Sequence, residues 1–587
     1  MTTDINLEEI KSPADIRTMT DAQLKQLAKE LRQTLITKLS KHGGHVGPNL
    51  GMVDAIIALH YVFNTPEDKV VFDVSHQTYP HKMLTGRMDA FTQEAHYDDV
   101  TGYTNPSESP YDLFSLGHTS SAVALAAGMA KARDLKGEKH NVIAVIGDGS
   151  LSGGIAFEGL DYGATLGSNF IVIVNDNDMS IAENHGGIYA DLRLLRNSKG
   201  EAEPNLFRSM GYAYRYVHNG NDIPSLIEAF RSVKDINYPV VVHINTEKGM
   251  GLPVAEAHKE QFHYSGPFDP KTGEATYSSD AEDYSDIFAL ETLRRIEEDK
   301  RVVAITAGTP GVLGFTPEKR RQAGRQFVDV GIAEQAAVDV ASGLAKGGAR
   351  PVVGLASTFL QRAFDQFSQD IALNRQPATF VVFYGGLYGL TDETHLGFFD
   401  ISLLANIPGL EVLVPTCKEE FVDMLRWATL HSTVPTVVRA PSGAVVSRKD
   451  VRLLSDYTAA RYDIVRHGSR VALIGAGTFF PLMSEAADEL AKQGVDATLI
   501  NPRQLSTLDK ETLDTLGDYD IVITAEDGIV EGGFGQKVAS YLGQAPVKVV
   551  NLGLPKAFLN RYNPRLVAEQ CNLTVPQIVA LATDNLR

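Results

Sequence analysis

The chain has 587 residues, of which 43% are apolar and 22% charged, proportions that fit a folded protein of several domains and exclude a disordered or fibrous one. Its 54 basic against 73 acidic side chains leave a formal charge of −19, which argues against non-specific nucleic-acid binding while allowing a local anion site. Two cysteines, Cys417 and Cys571, support neither a disulfide framework nor a thiolate zinc site. The expected setting is the reducing cytoplasm, since no basic stretch followed by an apolar one opens the sequence and no apolar run reaches the ~18 residues of a membrane span.

Leu24, Leu27, Leu31 and Leu35 recur at helical spacing and predict an amphipathic helix running toward Lys38. The glycine-rich stretch 40–51 predicts irregular chain, after which 55–63 is again helical in pattern. Residues 142–146, 170–174 and 240–244 are short, uninterrupted apolar runs, the pattern of strands buried on both faces. Alternating with helical stretches, they imply parallel α/β units with right-handed crossovers. A linker composition of Gly, Pro, Ser, Thr and acidic residues fills 266–286. A second α/β block follows, with strands expected at 302–305, 351–355, 379–383 and 412–414, then a polar connection over 441–461. The third block has strands expected at 470–474, 520–524 and 547–551. The fold class is α/β in three domains, 1–278, 279–448 and 449–587, each a largely parallel sheet flanked by helices.

The sharpest chemical signal is Val145-Ile-Gly147-Asp148-Gly149-Ser150-Leu-Ser-Gly-Gly, echoed after the next apolar run by Val174-Asn-Asp-Asn177-Asp-Met179-Ser. Each cluster follows a strand, so each lies where open α/β sheets collect ligands. A carboxylate from Asp148, an amide oxygen from Asn177 and the main-chain carbonyl of Met179 suit Mg²⁺, which completes its octahedron with phosphate and water. Glycines 147, 149, 153 and 154 let backbone amides approach phosphate closely. Glu334 lies in a largely apolar run, where desolvation raises a carboxyl pKa and suits it to share a proton. The alternative for Glu334 is a first-turn helix carboxylate satisfying the dipole. Arg362 and Arg439 are candidates for gripping an anion, against the alternative of structural ion pairing. The histidines lack the paired spacing of a zinc site.

Further stretches carry a family pattern: Gly43-Gly-His45, Asn64-Thr-Pro, Asp73-Val-Ser-His76-Gln-Thr-Tyr-Pro-His-Lys82, Gly117-His118-Thr119, Lys248-Gly and the His263 segment. Ile332-Ala-Glu334-Gln, Ser357-Thr-Phe359-Leu-Gln-Arg362, Thr394-His395, Arg439 and Glu531-Gly-Gly-Phe-Gly535 continue it. Over nearly its whole length the chain resembles the 1-deoxy-D-xylulose-5-phosphate synthase family, within the transketolase-like group of thiamine-diphosphate enzymes. The resemblance implies thiamine diphosphate and Mg²⁺ as cofactors and a homodimer built of diphosphate, pyrimidine and C-terminal domains. It implies that Glu334 hydrogen-bonds the aminopyrimidine ring, that Phe359 stacks on it, and that His45, His76, His263 and His395 surround the reacting carbon and the substrate. Gly117, His118, Thr119, Gly147, Gly149, Ser150, Lys248 and Ile332 fall among the cofactor-binding positions, and Arg362 and Arg439 among the substrate-binding ones.

Two departures bear on the substrate. The segment 96–105 is acidic where the family carries an arginine, and Tyr384 stands where another is expected. Each buried charge-assisted bond lost is worth about 1.5–3 kcal/mol, so the grip on an anionic substrate weakens. The first expectation is an enzyme that decarboxylates pyruvate and joins the two-carbon unit to an aldehyde, by default glyceraldehyde 3-phosphate. The second is a transketolase-like carboligase with another 2-oxo acid or ketose donor, or another aldehyde acceptor. The third is a cofactor-binding scaffold without turnover.

Overall fold

The computed structural model describes residues 5–277 and 281–586, which divide into two compact units. The first comprises residues 5–277 with the short stretch 331–333, and the second the other described residues.

The first unit is built on a five-stranded parallel sheet in the order β1-β2-β3-β5-β4: β1 (Lys69–Phe72), β2 (Val142–Gly147), β3 (Phe170–Asp176), β4 (Ala213–Val217) and β5 (Pro239–Asn245). Its apolar runs at 142–146 and 170–174 are buried throughout, as expected of strands covered on both faces. One face packs on the helices Asp21–His42, Gly47–Val62 and Ile223–Val233, the other on Ala122–Lys136 and Gly154–Ala164. The helix Asp21–His42 starts with a capping box between Thr20 and Gln23, buries Leu24, Leu27, Leu31 and Leu35, and stops at Gly43 with φ 83°.

The structure corrects the expectation that 40–51 is irregular. Only 43–46 is; the next helix begins at Gly47, with Pro48 in its first turn, where a missing N–H costs nothing. The glycines here serve close approach rather than flexibility: a Cβ on Gly51 would lie 2.9 Å from the Glu247 carbonyl oxygen.

In the second unit, a six-stranded parallel sheet runs β10-β11-β9-β8-β6-β7, with β6 (Val302–Thr306), β7 (Phe327–Asp329), β8 (Arg350–Ala356), β9 (Thr379–Phe383), β10 (Glu411–Leu413) and β11 (Thr436–Arg439). A five-stranded sheet follows in the order β12-β14-β13-β15-β16: β12 (Asp463–Arg466), β13 (Val471–Gly475), β14 (Ala497–Asn501), β15 (Ile521–Ile529) and β16 (Lys548–Leu554). Only β12 runs antiparallel in it. Ile305, Val353 and Val382 of the first of these sheets share one apolar cluster with Ala472, Ile474 and Val522 of the second. Residues 441–461 between the sheets hold neither helix nor strand. Among the described residues no helix is long and apolar enough to cross a membrane.

Candidate functional site

In the first unit, Asp148 and Asn177 follow directly on the C-terminal ends of the adjacent parallel strands β2 and β3. Asp148 is 1% exposed, and desolvation together with the nearby Asp176 carboxylate pushes its pKa up to about 8. Asn184 Nδ2 donates to its Oδ2 at 2.8 Å. Asp176, its neighbour, is by contrast closed in: Arg196 donates to both its oxygens at 2.7 Å and His243 lies 2.8 Å away, which holds it below the usual carboxylate range. The Asn177 Oδ1, Asn184 Oδ1 and Ser180 Oγ atoms are buried without a hydrogen-bond partner among the described residues. Such atoms cost about 1–3 kcal/mol each when left unpaired, so a cluster of them points to a polar ligand.

The glycines around them shape a cradle. A Cβ on Gly149 would lie 2.9 Å from Ser180 Oγ and one on Gly153 2.2 Å from Ser120 Oγ, whereas one on Gly147 would meet nothing within 4 Å. No group of three His, Cys, Asp or Glu side chains suited to a metal occurs among the described residues. A cation here would therefore draw on amide and main-chain oxygens beside Asp148, the donor set of a hard ion that keeps water and phosphate. The residues present fit Mg²⁺ with a diphosphate. Ser150 is buried in the turn after β2, and Ile332 N–H accepts a place in the same unit by donating to Ser152 Oγ at 2.9 Å. Met179 sits in the tight turn after Asn177, paired across a bridge with Glu183.

Lys248 is buried, donates to the Ser180 carbonyl at 2.6 Å and lies 3.2 Å from His263 Nδ1. Burial pulls its pKa down to about 7, against the opposing attraction of Asp148. Beside it three imidazoles converge: ring centroids are 4.9 Å apart for His45–His76, 5.0 Å for His76–His263 and 5.7 Å for His45–His263. His263 is held neutral by burial and by the cationic neighbour Lys248. His76 follows Val74 and Ser75, both left-handed, with φ 57° and 65°. A β-branched residue in that region is strained by about 1–3 kcal/mol. The bend is held by Asp73, which accepts from the backbone N–H groups of Ser120 at 2.8 Å and Ala122 at 3.0 Å. The same bonds order the segment just past Gly117, His118 and Thr119; Gly117 is buried and the other two half-buried.

In the second unit, Glu334 opens the helix Glu334–Lys346 and is 3% exposed. Its Oε2 is buried without a hydrogen-bond partner, with the Arg362 guanidinium 3.8 Å away. Desolvation outweighs that attraction and raises its pKa. Phe359, on the helix Ser357–Leu360, meets the His395 ring edge-on at 5.6 Å, and the Thr394 hydroxyl lies 2.8 Å from His395 Nδ1. Arg362 lies in the turn directly after that helix, so Glu334, Arg362, Phe359 and His395 form one neighbourhood of this unit.

Arg439, a candidate anion grip, has a buried guanidinium that donates to Asp400 Oδ2 at 2.7 Å and to the Asp527 main-chain oxygen at 2.8 Å, with Asp527 Oδ2 at 3.5 Å. Two carboxylates thus share it in this structure. The Tyr384 side chain turns away: its hydroxyl donates to the Val312 carbonyl at 3.1 Å and burial raises its pKa to about 12. Sequence reading did not single out Asn184, Asp176, Asp400 or Asp527. Asp176 and Asp527 have a signal, their places at or just past a buried apolar run; nothing in the sequence marks the other two.

Comparisons with known proteins agree along the chain. Residues 7–203 match the family model described as 1-deoxy-D-xylulose-5-phosphate synthase, 281–446 the transketolase pyrimidine binding domain and 460–578 the transketolase C-terminal domain. A 1-deoxy-D-xylulose-5-phosphate synthase of Desulforudis audaxviator is 38% identical, over 99% of this chain and 98% of its own. One of Pelotomaculum thermopropionicum is also 38% identical, over 98% and 96%. A transketolase of Campylobacter jejuni of known structure aligns with 96% of this chain and 100% of its own at 17% identity and a TM-score of 0.45. The matched segments and the full-length identity together show that this chain belongs to the 1-deoxy-D-xylulose-5-phosphate synthase family, whose members are transketolase-like, thiamine-diphosphate-dependent transferases.

Proposed function

We propose that the chain is a cytoplasmic, homodimeric carboligase that decarboxylates pyruvate and transfers the two-carbon unit to an aldehyde, with glyceraldehyde 3-phosphate as the default acceptor. In this reading 1–278 binds the diphosphate, 279–448 the pyrimidine ring, and 449–587 is the C-terminal domain. Asp148, Asn177 and the Met179 carbonyl hold Mg²⁺, with Gly147, Gly149 and Ser150 supplying close backbone approach to the diphosphate. Gly117, His118, Thr119, Lys248 and Ile332 complete the cofactor's surroundings, and Phe359 offers its ring face to the pyrimidine. Thiamine diphosphate supplies, when bound, an electron sink for the carbanion that decarboxylation leaves.

The observation that carries the reading is the unpartnered Glu334 Oε2, a carboxyl oxygen kept dry and protonatable. Such a group shares its proton with a ring nitrogen, where an ionised surface glutamate would not. His45, His76 and His263 form an imidazole wall able to donate or accept a hydrogen bond to substrate oxygens, with His263 held neutral by burial. In the second unit His395, its ring oriented by Thr394, is a further candidate for a substrate hydrogen bond, and Arg362 supplies positive charge for a carboxylate or phosphate.

A second reading, another donor or a less anionic acceptor, is favoured by the engagement of Arg439 with Asp400 and Asp527 and by the turned-away Tyr384. CO₂ release from pyruvate, measured with thiamine diphosphate and Mg²⁺ across a panel of aldehydes, separates the two. Strong stimulation by glyceraldehyde 3-phosphate is expected. Silence with pyruvate and turnover of ketose donors would establish the second reading, and cofactor binding without turnover of any donor would overturn both.

A further inference from the structure

The loop 384–398, which carries His395, leaves β9 at Tyr384 with φ 57° and closes on itself where Gly386 N–H donates to the Gly397 carbonyl at 2.7 Å. Beyond that closure it is held from the C-terminal part of the chain. Asp527 Oδ1, on β15, accepts from Leu387 N–H at 2.7 Å, and the Tyr562 hydroxyl donates to the Leu387 carbonyl at 2.9 Å. Arg561 N–H donates to the Thr391 carbonyl at 2.7 Å, and Ile529 N–H to the Phe398 carbonyl at 3.0 Å. Gly386, at φ 75°, passes so close that a Cβ would lie 2.0 Å from Asp527 Cγ. Arg439 fastens the far end, tying Asp400, two residues past the loop, to the Asp527 main chain. These holds bracket His395 on both sides, at 386–391 and at 398–400.

A cluster with one guanidinium between two buried carboxylates is a poor way to join two sheets, because desolvating the three charges costs more than an apolar plug of the same volume. What the cluster adds is direction: hydrogen bonds aimed at named backbone atoms of one loop. Resting on the role proposed above for His395, we infer that Asp527 is a positioning residue which, together with Tyr562 and Arg439, clamps the 384–398 loop and so fixes where His395 meets the substrate. The C-terminal sheet thereby has a part in the reaction without touching the substrate.

The test uses full-length Tyr562→Phe and Asp527→Ala, each alone and combined with His395→Ala. Hydrogen exchange of the cofactor-free proteins, read by mass spectrometry, is expected to quicken over 386–398 and to stay unchanged over β2. Turnover is expected to fall about tenfold in Tyr562→Phe and up to about 100-fold in Asp527→Ala, as for ångström-scale misplacement of a reacting group. In the His395→Ala background the same changes are expected to cost less than about twofold more, since residues acting as one unit are not additive. Unchanged exchange over 386–398, or losses that multiply in full in that background, would overturn the clamp. A His395→Ala variant turning over like the wild type would overturn the role of His395 and the inference with it. Should Asp527→Ala fail to fold, Tyr562→Phe, which loses a single hydroxyl, decides the matter by the same two readouts.

Discussion

Two buried aspartates of the first unit are solvated by the protein in opposite ways. Asp112 accepts from both Arg87 terminal nitrogens, at 2.7 and 2.9 Å, and from the Asn105 N–H at 2.9 Å, and lies 2.9 Å from His81 Nε2. His81 continues to His60 at 2.9 Å and His60 to the Thr65 hydroxyl at 2.9 Å, so the chain of polar groups closes within the fold. These partners hold the Asp112 carboxyl far below its ordinary value. Asp148 is as deeply buried, but desolvation dominates and pushes it upward, among amide and hydroxyl oxygens with no partner. Burial of charge alone therefore does not mark a functional site; what sets Asp148 apart is a cluster of unpartnered polar atoms gathered beside it at two strand ends. In the second unit burial raises the pKa of both Asp527 and Glu334, and they differ only in their partners: the Asp527 oxygens are taken by Leu387, Ser442 and Arg439, whereas Glu334 Oε2 has no hydrogen bond among the described residues.

The largest effect that would break this comparison concerns Glu334. Glu334→Gln is expected to lower turnover by about 10²–10⁴-fold, the range for losing a positioned proton donor, while leaving the unfolding temperature equal or higher. Near-normal turnover, or a clear loss of stability, would place Glu334 with the structural acids. Asp112→Ala should do the reverse, lowering stability by about 3–5 kcal/mol in denaturant titrations, because buried Arg87 loses its two-pronged partner and keeps only Glu108, while His81 and the Asn105 N–H lose their acceptor. A loss below about 1 kcal/mol would show that the network contributes little.

The pH dependence sharpens the contrast, since the two groups have opposite signs. Asp112 has its folded pKa depressed, so its contribution is complete above the ordinary value of about 4 and is lost as pH falls below it. Asp148 has its folded pKa raised: between about pH 4 and about 8 the folded cofactor-free protein keeps a proton that the unfolded chain releases, so this group's contribution to stability falls as pH rises through that window. Asp148→Asn is accordingly expected to flatten the decline between about pH 4 and about 8 and leave the limb below about pH 4 unchanged. A decline of the same slope in the variant would remove Asp148 from it. The smallest expected effect is on the stability of Tyr562→Phe, about 1 kcal/mol for one lost hydrogen bond, readable as a shift in denaturant midpoint.

How far the sequence speaks for itself follows the same division. Uninterrupted apolar runs such as 142–146, 170–174 and 379–383 announce their strands, because a strand covered on both faces needs nothing else. β4, with Arg215 exposed at an edge of its sheet, and β14, whose run ends in Asn501, carry no such uniform signal and escaped notice. The helical turn at 47–51 was hidden by glycines whose purpose, close approach to 247–248, exists only in three dimensions. In the candidate site, Asp148, Asn177 and Glu334 are legible because each sits at a strand end or in an apolar run. The partners of Arg439 were not legible, because only the fold brings Asp400 and Asp527 against it from 39 and 88 residues away.

Calorimetric titration of thiamine diphosphate in the presence of Mg²⁺, into the wild type, Asp148→Asn and Asp112→Asn, puts the distinction between closed and open buried acids to its most direct test. Binding by the wild type, its loss or severe weakening in Asp148→Asn, and its retention in whatever fraction of Asp112→Asn remains folded are the predicted results. Equal affinity in the wild type and Asp148→Asn would contradict the account.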